Sequence, residues 1–222
     1  AKSHYRWAQN SDVVLRMPCG AGVGAGPFHS QTNEAWFTKT PGLKVVYPAF
    51  PADAKGLLLT ALEDPNPVLF FEHKQLYRSL YQEVPENYYN IPFGVANLLR
   101  IGNTVTIISY GAGVHWALEI MDQEAVDADL IDLRTLQPLD TELIYSSVTK
   151  TGKAIILQED TLFGGIASDI SALIVENCFK YLDAPVIRVG SLETPVPFAK
   201  HLEENFLPKE RFRIALKNLI SY

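Results

Sequence analysis

The sequence predicts an α/β fold with a mostly parallel sheet. Short apolar strand-like runs alternate with helical patterns along all 222 residues, which is the order that βαβ units impose. A stretch without periodicity, residues 73–92, separates two such series and reads as an interdomain linker. The composition, 47% hydrophobic and 20% charged, is that of a globular protein and argues against disorder. The length allows one large core or two modest ones.

The first convincing strand comes at Val13, in "VVLRM" (13–17), closed by Pro18 and the glycines that follow. The chain opens on Ala rather than Met, so the expectation is a trimmed chain or a proteolytic fragment. "NEAWFTK" reads as a short helix with Ser30 or Thr32 as N-cap, ended by "TPGL", where Pro41-Gly42 suits a type II turn. "KVVYP" is the next strand. "FPADAKGLLLTALEDPNP" gives a helix with Pro51 near its first position and Asp53 in its first turn. Ala54, Leu57, Leu58 and Ala61 share one face of it. "VLFFE" (68–72) returns to strand.

Beyond the linker, "TVTIISYG" leads into "VHWALEIMDQEA", and "ADLIDLRTL" precedes "TELIYSSVTK". "AIILQED" then runs into "GGIASDISALIVENCF", and "APVIRVG" is followed by a last helix near 208–220. Four strands alternating with helices make a second α/β unit.

"RMPCGAGVGAGPFHSQ" (16–31) carries four glycines at alternate positions and then a histidine. Gly20-Ala-Gly22-Val-Gly24-Ala25 meets only the relaxed dinucleotide fingerprint. The acidic residue that should end the next strand is missing, because that strand closes on Val46-Tyr47-Pro48. Pro27 sits where a helix should already run, and GxxxxGK[ST] is absent, so a phosphate-cradling loop is rejected. The glycines read either as a tight connection after a strand or as a loop that presents His29 to a cleft at the strand's C-terminal end. His29 itself reads as a surface or capping residue, or as a proton donor whose tautomer Ser30 and Gln31 would fix.

Other chemistries find little support. The five histidines are scattered, with no HxH, HExxH or CxxC spacing. "FHSQ" lacks the nucleophile elbow of a hydrolase. Glu159 and Asp160, just before Gly164-Gly165, read as solvated acids at a strand end or as residues facing a ligand or interface. His115, near the start of a helix, reads as a cap or packing residue. Cys19 and Cys178 make no disulfide framework and fit a reducing compartment. A net charge of −6 without a basic cluster argues against nucleic acid as a partner, and no apolar run is long enough for a membrane span.

"GPFHSQTNEAWFTKTPGLKVVYPAFPADAKGLLLTALEDPNPVLFFEHKQLYR", with "IDLRTLQPLD", "KTGKAIILQED", "GGIASDI", "DAPVIRVG" and "TPVPFA", resembles the beta subunits of thiamine-diphosphate-dependent 2-oxoacid dehydrogenases. "FFEHKQLYR" is more similar to the branched-chain 2-oxoisovalerate members than to the pyruvate members. The resemblance implies a truncated pyrimidine-binding domain over 1–72 and a transketolase C-terminal-type domain over 93–222, joined by 73–92. It implies oxidative decarboxylation of a 2-oxoacid with acyl transfer to lipoyl groups, and thiamine diphosphate with Mg²⁺ as cofactors. The implied partners are an alpha-type subunit or portion, a lipoyl acyltransferase core and a second copy, as a homodimer or an α2β2-like assembly. The implied location is bacterial cytoplasm or, in a eukaryote, the mitochondrial matrix.

His29 matches that family's active-site histidine in its HSQ motif. "ALEDPNP" matches a segment that binds K⁺ in some relatives, which gives Ser11, Val13, Val14, Ala61, Asp64 and Asn66 as counterpart ligands, several through main-chain carbonyls. The family's catalytic glutamate would lie upstream of Ala1 and its diphosphate motif in the alpha portion. By this comparison the chain carries half a site and is inactive alone. The alternatives are a non-catalytic module for assembly and docking, or a pyruvate dehydrogenase beta subunit or other transketolase-like enzyme.

Overall fold

The computed structural model describes residues 11–222. Its strands are β1 (Val14–Cys19), β2 (Lys44–Val46), β3 (Val68–His73), β4 (Asn97–Arg100), β5 (Val105–Ser109), β6 (Ala128–Asp132), β7 (Thr135–Gln137), β8 (Ala154–Thr161) and β9 (Ile187–Ser191). They form two sheets, ordered β1-β3-β2-β7 and β4-β6-β5-β8-β9. All pairings are parallel except β2 with β7 and β4 with β6. No helix among the described residues is long and apolar enough to cross a membrane.

The first strand begins one residue later than the pattern predicts and runs through Pro18, which stands opposite Glu72, to Cys19. Pro lacks an N–H, so it survives only where no second neighbour needs one, and β1 is an edge. Neither Ser30 nor Thr32 caps the helix Ala35–Thr38, whose N-cap is Glu34 with helical dihedrals and no side-chain cap bond. Ser30 instead closes a one-turn helix, Gly26–His29, by donating its N–H to Gly26 O at 3.1 Å.

In the helix Pro51–Glu63, Leu57 and Ala61 are buried as expected, but the stripe turns toward Asp53 and Gly56 rather than Ala54 and Leu58. The cause is the segment after the short helix Leu76–Ser79, which lies across Gly56. A Cβ there would stand 2.7 Å from Ile91 and Tyr89. Thr60 Oγ1 donates to Ile91 O at 2.7 Å, and Tyr89 OH to Ala52 O at 2.7 Å.

The two sheets share a core. Val45, Tyr47, Leu69 and Phe71 of the first unit pack in one cluster with Ile108, Ile131 and Ile156 of the second. Burying side chains of this size contributes about 1.5–3 kcal/mol each, so the units are welded rather than merely tethered. Strand β7 strengthens the weld, since it follows β6 in the second unit yet pairs with β2 of the first. Beside it Arg134 grips Asp53 through two bonds, Nε to Oδ2 at 3.0 Å and Nη2 to Oδ1 at 2.7 Å. The first-turn acid of that helix is therefore spent on a link between units. His115 adds another, its Nε2 lying 2.7 Å from Ala49 O and its ring tilted against Phe50 at 4.9 Å between centroids.

Candidate functional site

The glycine stretch leaves the C-terminal end of β1 as a loop of alternating backbone hand. Gly20, Gly22, Gly24 and Gly26 have φ of 92°, 86°, 68° and 58°, and none of the residues between them has positive φ. Only glycine adopts such angles freely. The alternation turns main-chain N–H groups toward anions. Ala21 N–H donates to Glu159 Oε1 at 2.7 Å, and Gly24 N–H to Glu203 Oε2 at 3.0 Å and Oε1 at 3.2 Å. The loop does bind anions, and they are carboxylates of this chain's own second unit.

The Glu159 side chain is the hinge of this contact. It is 6% exposed, and its other oxygen lies 2.6 Å from Nε2 of the fully buried His73 at the end of β3. That imidazole fills the space where a Gly20 Cβ would be, 2.2 Å away. Glu159 is thus not a solvated acid: β8 extends far enough to carry it between the sheets, where it takes the interface-facing role. Half-buried Asp160 follows, accepting from Thr161 N at 2.8 Å.

Buried acids continue on the same side. Fully buried Glu34 accepts from Tyr110 OH at 2.6 Å, and its other oxygen has no partner among the described residues. Burial, with the charge of Asp160, pushes the Glu34 carboxyl up, and burial with Glu159 does the same to Asp160. Burial also raises the Cys19 thiol well above its usual range, which makes it an inert core group 3.1 Å from Tyr47 OH.

Asp132, at the end of β6, is a further buried acid. It accepts from Arg134 N at 3.1 Å through Oδ1, while Oδ2 has no partner among the described residues. Burial pushes its carboxyl up to about 7 from 3.8. The folded state holds this proton where the unfolded chain does not, so its contribution to stability is complete below about pH 3.8 and is lost as pH rises through about 7. Asp132→Asn is expected to flatten that fall by about 1–3 kcal/mol between pH 4 and 7. Urea midpoints across that range measure it, and parallel pH profiles for the two proteins would contradict it.

His29 ends the one-turn helix that follows the glycines. It is exposed and makes no hydrogen bond to any described residue. Ser30 and Gln31 do not orient it: the Ser30 hydroxyl is buried without a partner among the described residues, and Gln31 lines the cleft. That cleft, about 710 Å³, is walled by His29, Gln31, Asn33, Lys74, Tyr77 and Arg78 with apolar neighbours. A histidine and two cations there suit an anionic ligand. His29, carried by the glycine loop, is thus one wall of this cleft.

Residues 11–14 and 61–66 also meet. Ser11 N–H donates to Pro65 O at 3.2 Å, and Val68 N–H to Val13 O at 2.9 Å. Val14 pairs with Val68 in the sheet, and the Ala61 carbonyl accepts from Asp64 N. The Asp64 carboxylate takes the Lys44 ammonium as well as Asn66 N and Nδ2 at 2.8 and 2.9 Å. Among the described residues no cluster of three His, Cys, Asp or Glu side chains is placed to hold a metal. Glu203 was not legible as a site residue, being one of two adjacent acids in "KHLEENF".

Comparison with known proteins places this arrangement in a class. Residues 2–79 match the transketolase pyrimidine binding domain and residues 94–211 the transketolase C-terminal domain. A split-gene transketolase described as an inactive beta4 tetramer superposes with a TM-score of 0.75 at 24% identity, covering 96% of this chain and 67% of that one, which shows the fold. The 2-oxoisovalerate dehydrogenase subunit beta of Bacillus subtilis is 42% identical over 100% of this chain and 70% of its own length. Mitochondrial subunit beta 2 of Arabidopsis thaliana is 42% identical over 100% and 63%. The B. subtilis pyruvate dehydrogenase E1 component subunit beta is 43% identical over 95% and 65%. The chain belongs to this family of 2-oxoacid dehydrogenase beta subunits and spans roughly two thirds of the length of these relatives.

Proposed function

We propose that this chain supplies the beta half of a 2-oxoacid decarboxylase site, completed by an alpha-type portion, that acts on a branched-chain 2-oxoacid and passes the acyl group to lipoyl groups of an acyltransferase core. The carrying observation is His29, free and exposed beside Lys74 and Arg78 in a cleft and matched to the active-site histidine of the resembled family. Thiamine diphosphate, when bound, supplies the electron sink for decarboxylation.

The described residues fit only part of that cofactor's needs. The loop N–H donors of Ala21 and Gly24 are taken by Glu159 and Glu203, and no acidic cluster fits Mg²⁺. Diphosphate and Mg²⁺ therefore fall to the alpha portion. On this reading His29 gives its proton to the lipoyl sulfur released when the dithiolane opens, a general-acid role, while Lys74 and Arg78 attract the substrate carboxylate. A K⁺ ion held by carbonyls of Ser11, Val13, Val14 and Ala61 with Asp64 and Asn66 belongs to the same reading. Its support is the meeting of the two segments. The chain alone is expected to be inactive.

The substrate is tested with the full-length chain and its alpha-type partner, comparing kcat/KM for 2-oxoisovalerate and pyruvate in lipoyl acylation. A preference of about tenfold or more for the branched acid is expected, the discrimination that a few methylenes allow. Preference for pyruvate would make this a pyruvate-type subunit, and ketol transfer between sugar phosphates would remove it from decarboxylation altogether.

A further inference from the structure

We propose that Glu159 and Glu203 are positioning residues for His29, acting as two carboxylate clasps by which the second unit fixes the glycine loop of the first. The inference rests on the reading of His29 given above.

The His29 side chain has no hydrogen bond to any described residue, so its place depends on the backbone that carries it. That backbone is held at three points by the second unit. Glu159 takes Ala21 N–H at 2.7 Å, and Glu203 takes Gly24 N–H at 3.0 and 3.2 Å. The ring of Phe198 lies against Gly26, where a Cβ would be 2.4 Å away, and stands 6.0 Å from Phe28. Ala21 itself is fully buried with Val196 and Phe206 of the second unit.

Glu203 makes the case most sharply. It is 3% exposed, and its carboxylate has no hydrogen-bond partner among the described residues except Gly24 N–H. Burying a carboxylate on so few donors is costly, and hydrophobic packing alone would have been served by an apolar residue. What the acid adds is a directional, charge-assisted grip on one amide of the loop. Glu159 adds a second, with His73 behind it fixing the carboxylate's other oxygen at 2.6 Å. Docking of the second unit thereby sets the depth of His29 in the cleft, and displacement of a catalytic group by about 1 Å costs up to about a hundredfold in rate.

The test uses the full-length chain assembled with its alpha-type partner and compares Glu203→Ala, Glu203→Gln and Glu159→Gln with the parent. Two quantities are read: hydrogen exchange of amides 21–29, and the ratio of lipoyl acylation to oxidation by an artificial dye acceptor. Glu203→Ala is expected to speed exchange across the loop and lower the ratio about tenfold. Glu203→Gln keeps one acceptor oxygen for Gly24 N–H and should restore most of both. Unchanged exchange, or faster exchange with an unchanged ratio, would overturn the positioning role. So would an equal fall in both rates that Glu203→Gln does not rescue, the behaviour of a merely structural residue. If Glu203→Ala does not fold, Glu203→Asp, which keeps the charge but draws the carboxylate back from Gly24 N–H by one methylene, carries the same expectation of faster exchange and a lowered ratio. His29→Ala measured alongside separates the two claims: retained acylation there defeats the reading of His29, while the exchange data still report on the clasps.

Discussion

Replacing His29 by Ala in the assembled enzyme should cut lipoyl acylation by about 10²–10⁴-fold, the range that loss of a general acid produces. The fold should not notice. The imidazole is exposed and bonded to no described residue, and surface changes of that kind stay within about 0.5 kcal/mol. Oxidation by a dye acceptor, which needs no lipoyl sulfur, should fall much less. Single-turnover acylation with a urea midpoint on the same preparation checks both halves. Acylation within about twofold of the parent would remove His29 from the chemistry.

Gly20→Ala is expected to be the most damaging small substitution in the loop. Two costs coincide there. A φ of 92° puts an L-residue in the left-handed region, worth about 1–2 kcal/mol. The new Cβ would also stand 2.2 Å from His73 Nε2, and that ring cannot retreat because Glu159 holds it at 2.6 Å. Overpacking of this sort adds about 1–3 kcal/mol. Gly42→Ala is the natural control, with a similar φ of 87° and nothing within 4 Å of its would-be Cβ. It should cost only the first amount. Equal urea midpoints for the two variants would refute the wedge formed by His73.

Much of the architecture was legible because burial leaves a periodic trace. The parallel strands of both sheets are short apolar runs between helical patterns, and that alternation shows in the order of residues alone. The antiparallel strands β4 and β7 were not seen: four and three residues are too few to display a period of two. Their partners come from the wrapping of the chain, and β7 crosses into the other unit's sheet. The expected cap at Ser30 or Thr32 failed because Ser30 closes the preceding one-turn helix and the next helix starts only at Ala35, after Glu34.

The glycine loop shows the division most clearly. Four glycines at alternate positions announce a backbone of unusual hand, whereas Pro27, read as out of place in a helix, sits at the start of the one-turn helix Gly26–His29. What the loop grips was invisible, because Glu159 and Glu203 stand 138 and 179 residues along the chain from their amide partners. Glu159 at least drew notice at a strand end before two glycines. Glu203 carried no signal at all.

A shared active site is the centre of this reading, and cofactor binding addresses it most directly. Thiamine diphosphate with Mg²⁺ is titrated calorimetrically into this chain, into its alpha-type partner, and into the two combined. Saturable tight binding should appear only in the combination, since this chain's loop amides are already engaged by Glu159 and Glu203. Tight binding by this chain alone would mean that it holds a complete cofactor site, and the assignment of a half site would be wrong.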